Sequence, residues 1–128
     1  MWLVNSHALK DEARKALRAA EVEKTPLGVS AITAWEVCLS EKLGETGQSI
    51  GGDGKRWFYE AVHHVGLTIL PIDDHIAIES RRLPEPFHKD PGDRFVVATA
   101  RVYDISIITS DKRILDYAAL GHVRAIAC

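Results

Sequence analysis

Short apolar segments alternate with helical segments from residue 27 onward, and this alternation restricts the fold of the chain more than any other feature. Apolar, β-branched segments predict four strands, over 27–32, 67–72, 105–109 and 122–127. Helical periodicity, capping residues and stop signals predict six helices, over 5–22, 33–45, 55–66, 73–83, 94–103 and 112–120. The order of these elements predicts an α/β domain with a mostly parallel sheet and helices on both faces.

The length and composition of the chain describe an ordinary globular protein. Its 128 residues suit one hydrophobic core, so we expect a single domain over residues 1–128. The net charge of −2 provides no strong field for nucleic acid, and such a role requires a local basic patch. The two cysteines fit a reducing compartment, and no apolar run reaches membrane-spanning length. We therefore expect a cytoplasmic protein with no membrane contact.

Four acidic residues occupy positions where a parallel sheet would bring them together. Glu36 lies one turn into the helix after the first predicted strand, Asp90 and Asp93 lie at the start of an apolar helix, and Asp111 follows the strand ISIIT. Ligands of such sheets bind outside the carboxyl ends of the strands. Clustered carboxylates suit Mg²⁺ or Mn²⁺, and such a metal can activate water against a phosphate.

The same acids also have an ordinary structural interpretation as helix caps. Thr33 and Glu36 fit a capping box. Asp90 fits the N-cap of the apolar helix with Asp93 in its first turn, and Asp111 fits the N-cap of the helix that follows it. A carboxylate in a first helical turn can cap the helix and bind metal, so the spacing leaves both roles open.

Three segments resemble the PIN-domain family of metal-dependent ribonucleases, in particular the VapC-like toxins of toxin–antitoxin pairs. They are VSAITAWEV (29–37), LPEPFHKDPGDRFVVATA (83–100) and IITSDKRI (107–114). The resemblance implies an endoribonuclease that uses Mg²⁺ or Mn²⁺. It places the second, third and fourth family acids at Glu36, Asp93 and Asp111, which would be both catalytic and metal-binding, with Asp90 as an accompanying ligand.

The resemblance also implies partners and substrate contacts. The partners would be a cognate antitoxin protein, an RNA substrate and a second copy of the chain in a homodimer. Basic and hydroxyl side chains flanking the acids would bind the substrate. These side chains are Arg94, Lys112, Thr109 and Ser110. Cations beside a carboxylate–metal centre can position a phosphodiester backbone, although ordinary surface charges would give the same pattern.

The sequence, as we interpret it, lacks the opening strand of the family pattern. The family begins with a strand that ends in an Asp-Thr-His-like motif, and its Asp is the first metal ligand. The chain starts Met1-Trp2-Leu3-Val4-Asn5 and runs into the predicted helix 5–22. We therefore expect the central first strand and its Asp to be absent, with Asn5 in the wrong place to substitute and Ser6-His7 unrelated to the motif.

Two explanations account for the missing strand, and they lead to different functions. A misassigned start, with the strand encoded upstream of Met1, leaves a metal-dependent endoribonuclease toxin. A degenerate copy leaves a catalytically inactive PIN-like protein that retains antitoxin or self-association surfaces. A phosphoacceptor receiver-like domain also gathers acids at strand ends, but the chain lacks the paired early acids and the late lysine that it requires.

Overall fold

The structure is a computed structural model that describes residues 2–5, 11–43 and 52–127. The strands are β1 (Trp2–Asn5), β2 (Leu27–Ser30), β3 (Thr68–Leu70), β4 (Ser106–Thr109) and β5 (Ala125–Ala127). The helices are α1 (Asp11–Val22), α2 (Ala31–Leu43), α3 (Gly54–Val65), α4 (Asp74–Arg82), α5 (Pro91–Tyr103) and α6 (Lys112–Ala119). In these ranges no helix is long and apolar enough to cross a membrane.

The five strands form one sheet in which every pairing is parallel. Their order is β3-β2-β1-β4-β5. Helices flank this sheet, which confirms the α/β architecture predicted from the alternation. The chain moves outward from β1 to β3 and then returns to place β4 on the other side of β1. The strand order therefore reverses between β1 and β4, and such a reversal is where ligands of open α/β sheets bind.

The central strand of the sheet is β1, so our prediction that this strand is absent is wrong. Trp2–Asn5 pairs along its whole length with Ser106–Thr109, and its first two residues also pair with Leu27 and Gly28 of β2. The predicted helix 5–22 begins too early, because Asn5 ends a strand and the observed helix starts at Asp11. Residues 6–10 of that predicted helix lie outside the described ranges.

The hydrophobic core lies between the sheet and α5. Val96, Val97 and Ala98 of this helix are at most 1% exposed, as its nearly continuous apolar sequence predicted. The helix contacts α4 and α2 as well as the three strands β1, β2 and β4. Leu3 of β1 and Ile107 of β4 belong to the same core and are fully buried. The core packing therefore fixes α5 against the central strands of the sheet.

Candidate metal-binding site

The carboxyl ends of β1 and β4 lie side by side at the reversal point of the sheet. Asn5 ends β1 and is in register with Thr109, the last residue of β4. Asp111 follows two residues later and begins α6. The position that the resemblance assigns to the first family acid is therefore occupied by Asn5. Our prediction that Asn5 is in the wrong place is corrected by its backbone register, although the acid itself is missing, as we expected.

Two of the acids cap helices, as the structural interpretation predicted. Asp90 Oδ1 accepts a hydrogen bond from the backbone N–H of Gly92 at 3.0 Å, which fixes the start of α5. Asp111 Oδ1 accepts one from the N–H of Arg113 at 2.8 Å, and the N–H of Asp111 donates to Thr109 Oγ1 at 3.0 Å. Capping uses only part of the lone-pair capacity of each carboxylate, so these side chains can still face the site.

Glu36 is not part of a capping box, so that interpretation is wrong. Helix α2 begins at Ala31, and the N–H of Ile32 donates to Ser30 Oγ at 3.3 Å, so Glu36 lies inside the helix. Its carboxylate rests against Gly92: a Cβ atom on that glycine would be 1.8 Å from Glu36 Oε1. Asp90 Oδ1 would lie 3.4 Å from the same Cβ position. The first turn of α5 thus brings Glu36 and Asp90 to its surface beside Asp93.

A basic side chain joins Asp93 to Asp111. Arg113 Nη2 lies 2.8 Å from Asp93 Oδ2 and 3.0 Å from Asp111 Oδ2. His88 Nε2 is 3.1 Å from the same Oδ2 of Asp93, while His88 Nδ1 accepts from the N–H of Asp90 at 3.3 Å. This acceptor role at Nδ1 assigns the proton of a neutral His88 to Nε2, facing Asp93.

The environments of the two aspartates shift their pKa values in opposite directions. Burial is the main reason why the pKa of Asp93 is raised, and the negative charges of Asp111 and Asp90 add to it, outweighing Arg113 and His88. For Asp111, partial burial opposes ionisation, but its hydrogen bonds from Arg113 outweigh that effect and lower its pKa. The folded protein therefore disfavours the ionised form of Asp93 and favours the ionised form of Asp111.

The residues present fit a divalent metal cation. Asp93 Oδ2 is buried, and neither of its cationic contacts has the angles of a hydrogen bond. A hard cation bound by carboxylate oxygens would satisfy this atom. Among the described residues, no three acidic, histidine or cysteine side chains already surround a common metal position. Arg113 lies between Asp93 and Asp111, so a cation that binds both must displace it.

The predicted substrate-binding residues have different environments, and Arg94 requires a correction. Arg94 is 7% exposed, and its guanidinium donates to the backbone oxygens of Ser80 at 2.8 Å and His88 at 3.1 Å. We therefore reassign it from a substrate contact to a clamp that holds the loop before α5. Thr109 is fully buried and orients Asp111. The exposed residues are Ser110 and Lys112.

Our predicted site residues did not include His88, Arg113 or Asn5, although the two basic residues flank the predicted acids in the sequence. Two signals were available for His88 and Arg113, because each lies two residues from a predicted acid. The signal for Asn5 was its alignment with the family's opening motif, which the helical assignment of residues 5–22 concealed.

Comparison with known proteins identifies the family of the chain. The family model of the PIN domain matches residues 1–120. A comparison with curated proteins finds no significant match.

Solved structures share the fold at low sequence identity. The chain superposes on a toxin–antitoxin complex from Klebsiella pneumoniae with a TM-score of 0.67 and 22% identity, covering 98% of this chain and 96% of that one. For FitAB bound to an IR36 DNA fragment, the TM-score is 0.65, the identity 19% and the coverages 99% and 94%. For DNA-bound VapBC from Salmonella typhimurium, the TM-score is 0.66 and the identity 13%, and the match covers 98% of this chain and 96% of that one. Because the family model covers nearly the whole chain, including β1 and every acid of the site, this protein belongs to the PIN domain family.

Proposed function

We propose that this protein is a VapC-like toxin that cleaves RNA as a metal-dependent endoribonuclease. The observation that carries the proposal is the pair Asp93 and Asp111, whose carboxylates contact the same nitrogen of Arg113 at the reversal point of the parallel sheet. One oxygen of this pair, Asp93 Oδ2, is buried and accepts no hydrogen bond from the described residues. Glu36 and Asp90 lie beside the same helix turn. Clustered carboxylates are the donors that Mg²⁺ and Mn²⁺ prefer.

In this proposal Glu36, Asp93 and Asp111 hold Mg²⁺ or Mn²⁺, with Asp90 at the rim. The bound metal supplies Lewis-acid stabilisation of the phosphate and a water of lowered pKa. Thr109 keeps Asp111 in place through its hydroxyl, and the N-cap bonds fix Asp90 and Asp111 relative to their helices. In this proposal Ser110 and Lys112, which are exposed, contact the RNA backbone.

The partners proposed here follow from the resemblance and from the neighbouring folds. The Klebsiella structure is a toxin–antitoxin complex, and the Salmonella structure is a DNA-bound VapBC complex. We propose that a cognate antitoxin binds this chain, that the chain forms a homodimer, and that it acts on RNA in the cytoplasm.

A second candidate function is favoured by Asn5. An asparagine at the end of β1 can offer one neutral oxygen to a cation but no negative charge. A site with one carboxylate fewer holds its cation more weakly and orients the attacking water less well. The alternative is therefore a catalytically inactive PIN-domain protein that retains antitoxin-binding or self-association surfaces.

Replacing Asn5 with aspartate distinguishes the two functions. We would measure cleavage of single-stranded RNA by the wild type, Asn5→Asp and Asn5→Asp/Asp93→Asn proteins, each with Mg²⁺, with Mn²⁺ and with chelator. If the chain is a toxin with a weakened site, the wild type cleaves slowly and Asn5→Asp is about ten to a hundred times faster at limiting metal, since even a residue that only supports a metal ligand is worth that much. The double variant should be inactive.

Other outcomes reject one or both functions. Chelator-sensitive cleavage only by Asn5→Asp would support the inactive protein as the natural state. Cleavage that survives both chelator and Asp93→Asn would contradict the metal mechanism. No cleavage by any form, together with no Mn²⁺ binding by Asn5→Asp, would reject the nuclease proposal.

A further inference from the structure

Arg113 occupies the space between the two carboxylates that the proposed metal site needs most. Its Nη2 atom is 2.8 Å from Asp93 Oδ2 and 3.0 Å from Asp111 Oδ2, and its Nε is 3.3 Å from Asp111 Oδ1. A divalent cation shared by these aspartates would bind the same oxygens. The guanidinium and the cation therefore cannot both hold these positions.

The exposure of the three side chains shows which of them can move. The side chain of Arg113 is 54% exposed, whereas those of Asp93 and Asp111 are 10% and 27% exposed. Asp93 is fixed in the first turn of the buried helix α5, and Asp111 is fixed by Thr109 and by its N-cap bond. Arg113 can thus rotate into solvent from the surface of α6 without opening the core.

Removing Arg113 would leave two like charges facing each other. Asp93 Oδ2 is buried, and among the described residues His88, at 3.1 Å, is the other basic side chain within ion-pair distance of it. Two carboxylates that both lie within 3.0 Å of one nitrogen atom repel each other when no cation lies between them. Arg113 thus reduces the repulsion between Asp93 and Asp111 when metal is absent, and it blocks their oxygens when metal binds.

We propose that Arg113 is a displaceable internal counterion, which holds Asp93 and Asp111 together in the metal-free protein and competes with the divalent cation for their oxygens. This inference rests on the metal site of the proposed function and adds a residue that sets its affinity. Arg113 is a positioning residue here, because it acts on the carboxylates rather than on the substrate. Displacement also leaves its guanidinium at the mouth of the site.

The test measures Mn²⁺ binding and metal-free stability in Arg113→Gln, Arg113→Lys and the wild type. Titration calorimetry with Mn²⁺ alone gives the affinity, and thermal unfolding in chelator gives the metal-free Tm. We expect Arg113→Gln to bind Mn²⁺ about tenfold more tightly, because a positive charge near 3 Å from the ligands is gone. Its metal-free Tm should fall by roughly 3–6 °C. Arg113→Lys should lie between the two, since an ammonium lacks the fork that reaches both carboxylates.

Arg124→Gln is the matched control. It removes a guanidinium that is also paired with an aspartate, Asp104 Oδ1 at 2.9 Å, and that is itself 62% exposed. This pair lies near the start of β4, away from the acids at its carboxyl end. The control should leave the Mn²⁺ affinity within about twofold of the wild type, because screened charges at a distance contribute little.

A measurement on the wild-type protein tests the same inference if Arg113→Gln does not fold. The Arg113 side-chain N–H resonance, assigned by its loss in Arg113→Lys, should lose its protection from exchange as Mg²⁺ is added, with the midpoint of metal binding. An unchanged resonance at saturating Mg²⁺, or equal or weaker Mn²⁺ binding by Arg113→Gln, would overturn the inference and leave the metal site standing. Absence of metal binding in the wild type and in both Arg113 variants would overturn the inference together with that site.

Discussion

Asp93 and Asp111 share one guanidinium and yet differ in the charge state that the folded protein favours. Asp93 is buried against other carboxylates, and its pKa is raised by burial first and by Asp111 and Asp90 next. Asp111 is less buried, and the hydrogen bonds from Arg113 bring its pKa below the ordinary value despite that burial. The difference arises because Arg113 makes hydrogen bonds to Asp111 but only a close ionic contact to Asp93.

This difference predicts opposite stability changes for two identical substitutions in the metal-free protein. A raised folded-state pKa means that Asp93 stabilises the fold when protonated, at low pH, and that this contribution is lost as the pH rises through the folded pKa. Asp93→Asn should therefore raise the Tm at pH 7 by roughly 2–5 °C. The effect of Asp111 on stability is the opposite: its ionised form stabilises the fold at neutral pH, and this contribution is lost as the pH falls through its lowered pKa. Asp111→Asn should lower the Tm at pH 7 by a similar amount.

Thermal unfolding in chelator from pH 3 to pH 7 measures both effects. Asparagine is also a good N-cap, so Asp111→Asn changes the charge more than the cap. The two differences from the wild type should both shrink toward low pH. Two shifts of the same sign at pH 7 would show that the opposite environments inferred for Asp93 and Asp111 are wrong.

At the scale of single elements, the first turn of α5 assembles most of the site. Asp90 caps it, Asp93 projects from it, and Gly92 makes room for Glu36. A Cβ atom at Gly92 would lie 1.8 Å from Glu36 Oε1 and 2.8 Å from its Cδ. The glycine is therefore needed for the close approach of a carboxylate and not for its own backbone angles.

The substitution Gly92→Ala should separate stability from metal binding. Alanine is the better helix former by about 1 kcal/mol, and the end of the Glu36 side chain can move away, so the free energy of unfolding should stay within about 1 kcal/mol of the wild type. Metal affinity should fall about tenfold, because Glu36 leaves its place against the first turn of α5. Denaturant unfolding and Mn²⁺ titration measure the two quantities.

Gly54→Ala is the control for this substitution. Gly54 lies in the first turn of α3, and a Cβ atom there would meet Glu41 Oε2 at 2.7 Å, so the same change displaces a carboxylate outside the candidate site. This variant should keep the wild-type Mn²⁺ affinity. A metal affinity unchanged by Gly92→Ala would argue against a role for Glu36 as a ligand.

The elements differ in how far the sequence predicts them. The strands β2 to β5 and the helices α2 to α6 are apparent from their periodicity and stop signals, within a few residues at each end. The four residues of β1 are too few to show a period of their own, and no glycine or proline separates them from the helical pattern that follows. Contacts between side chains of different elements, such as Arg113 with Asp93, depend on packing that a local pattern does not contain.

At the scale of the whole molecule, β1 joins the two halves of the sheet. One edge carries β2 and β3, the other carries β4 and β5, and each half is hydrogen-bonded to Trp2–Asn5. Leu3 in this strand is fully buried in the main core cluster. The stability of the entire domain should therefore depend on a strand that we predicted to be absent.

We expect Leu3→Ala to destabilise the whole protein. Removing a fully buried leucine side chain typically costs about 2–5 kcal/mol, which is a large share of the stability of a small domain. Urea unfolding followed by circular dichroism measures the loss. Val22→Ala, at a residue that is 84% exposed on α1, removes apolar carbon from the surface and should change the free energy of unfolding by less than about 0.5 kcal/mol. Equal stabilities of Leu3→Ala and the wild type would exclude a central position for β1.

The pairing of β1 with β4 also determines when a nascent chain can become a folded protein. Ser106–Thr109 is made about a hundred residues after its partner Trp2–Asn5, which takes roughly 5–20 s at ordinary rates of translation. Until then the centre of the sheet has one open side, and Asp111 has not been added. The acidic site therefore cannot assemble before residues 106–111 have been made, and β1 has no β4 partner until then.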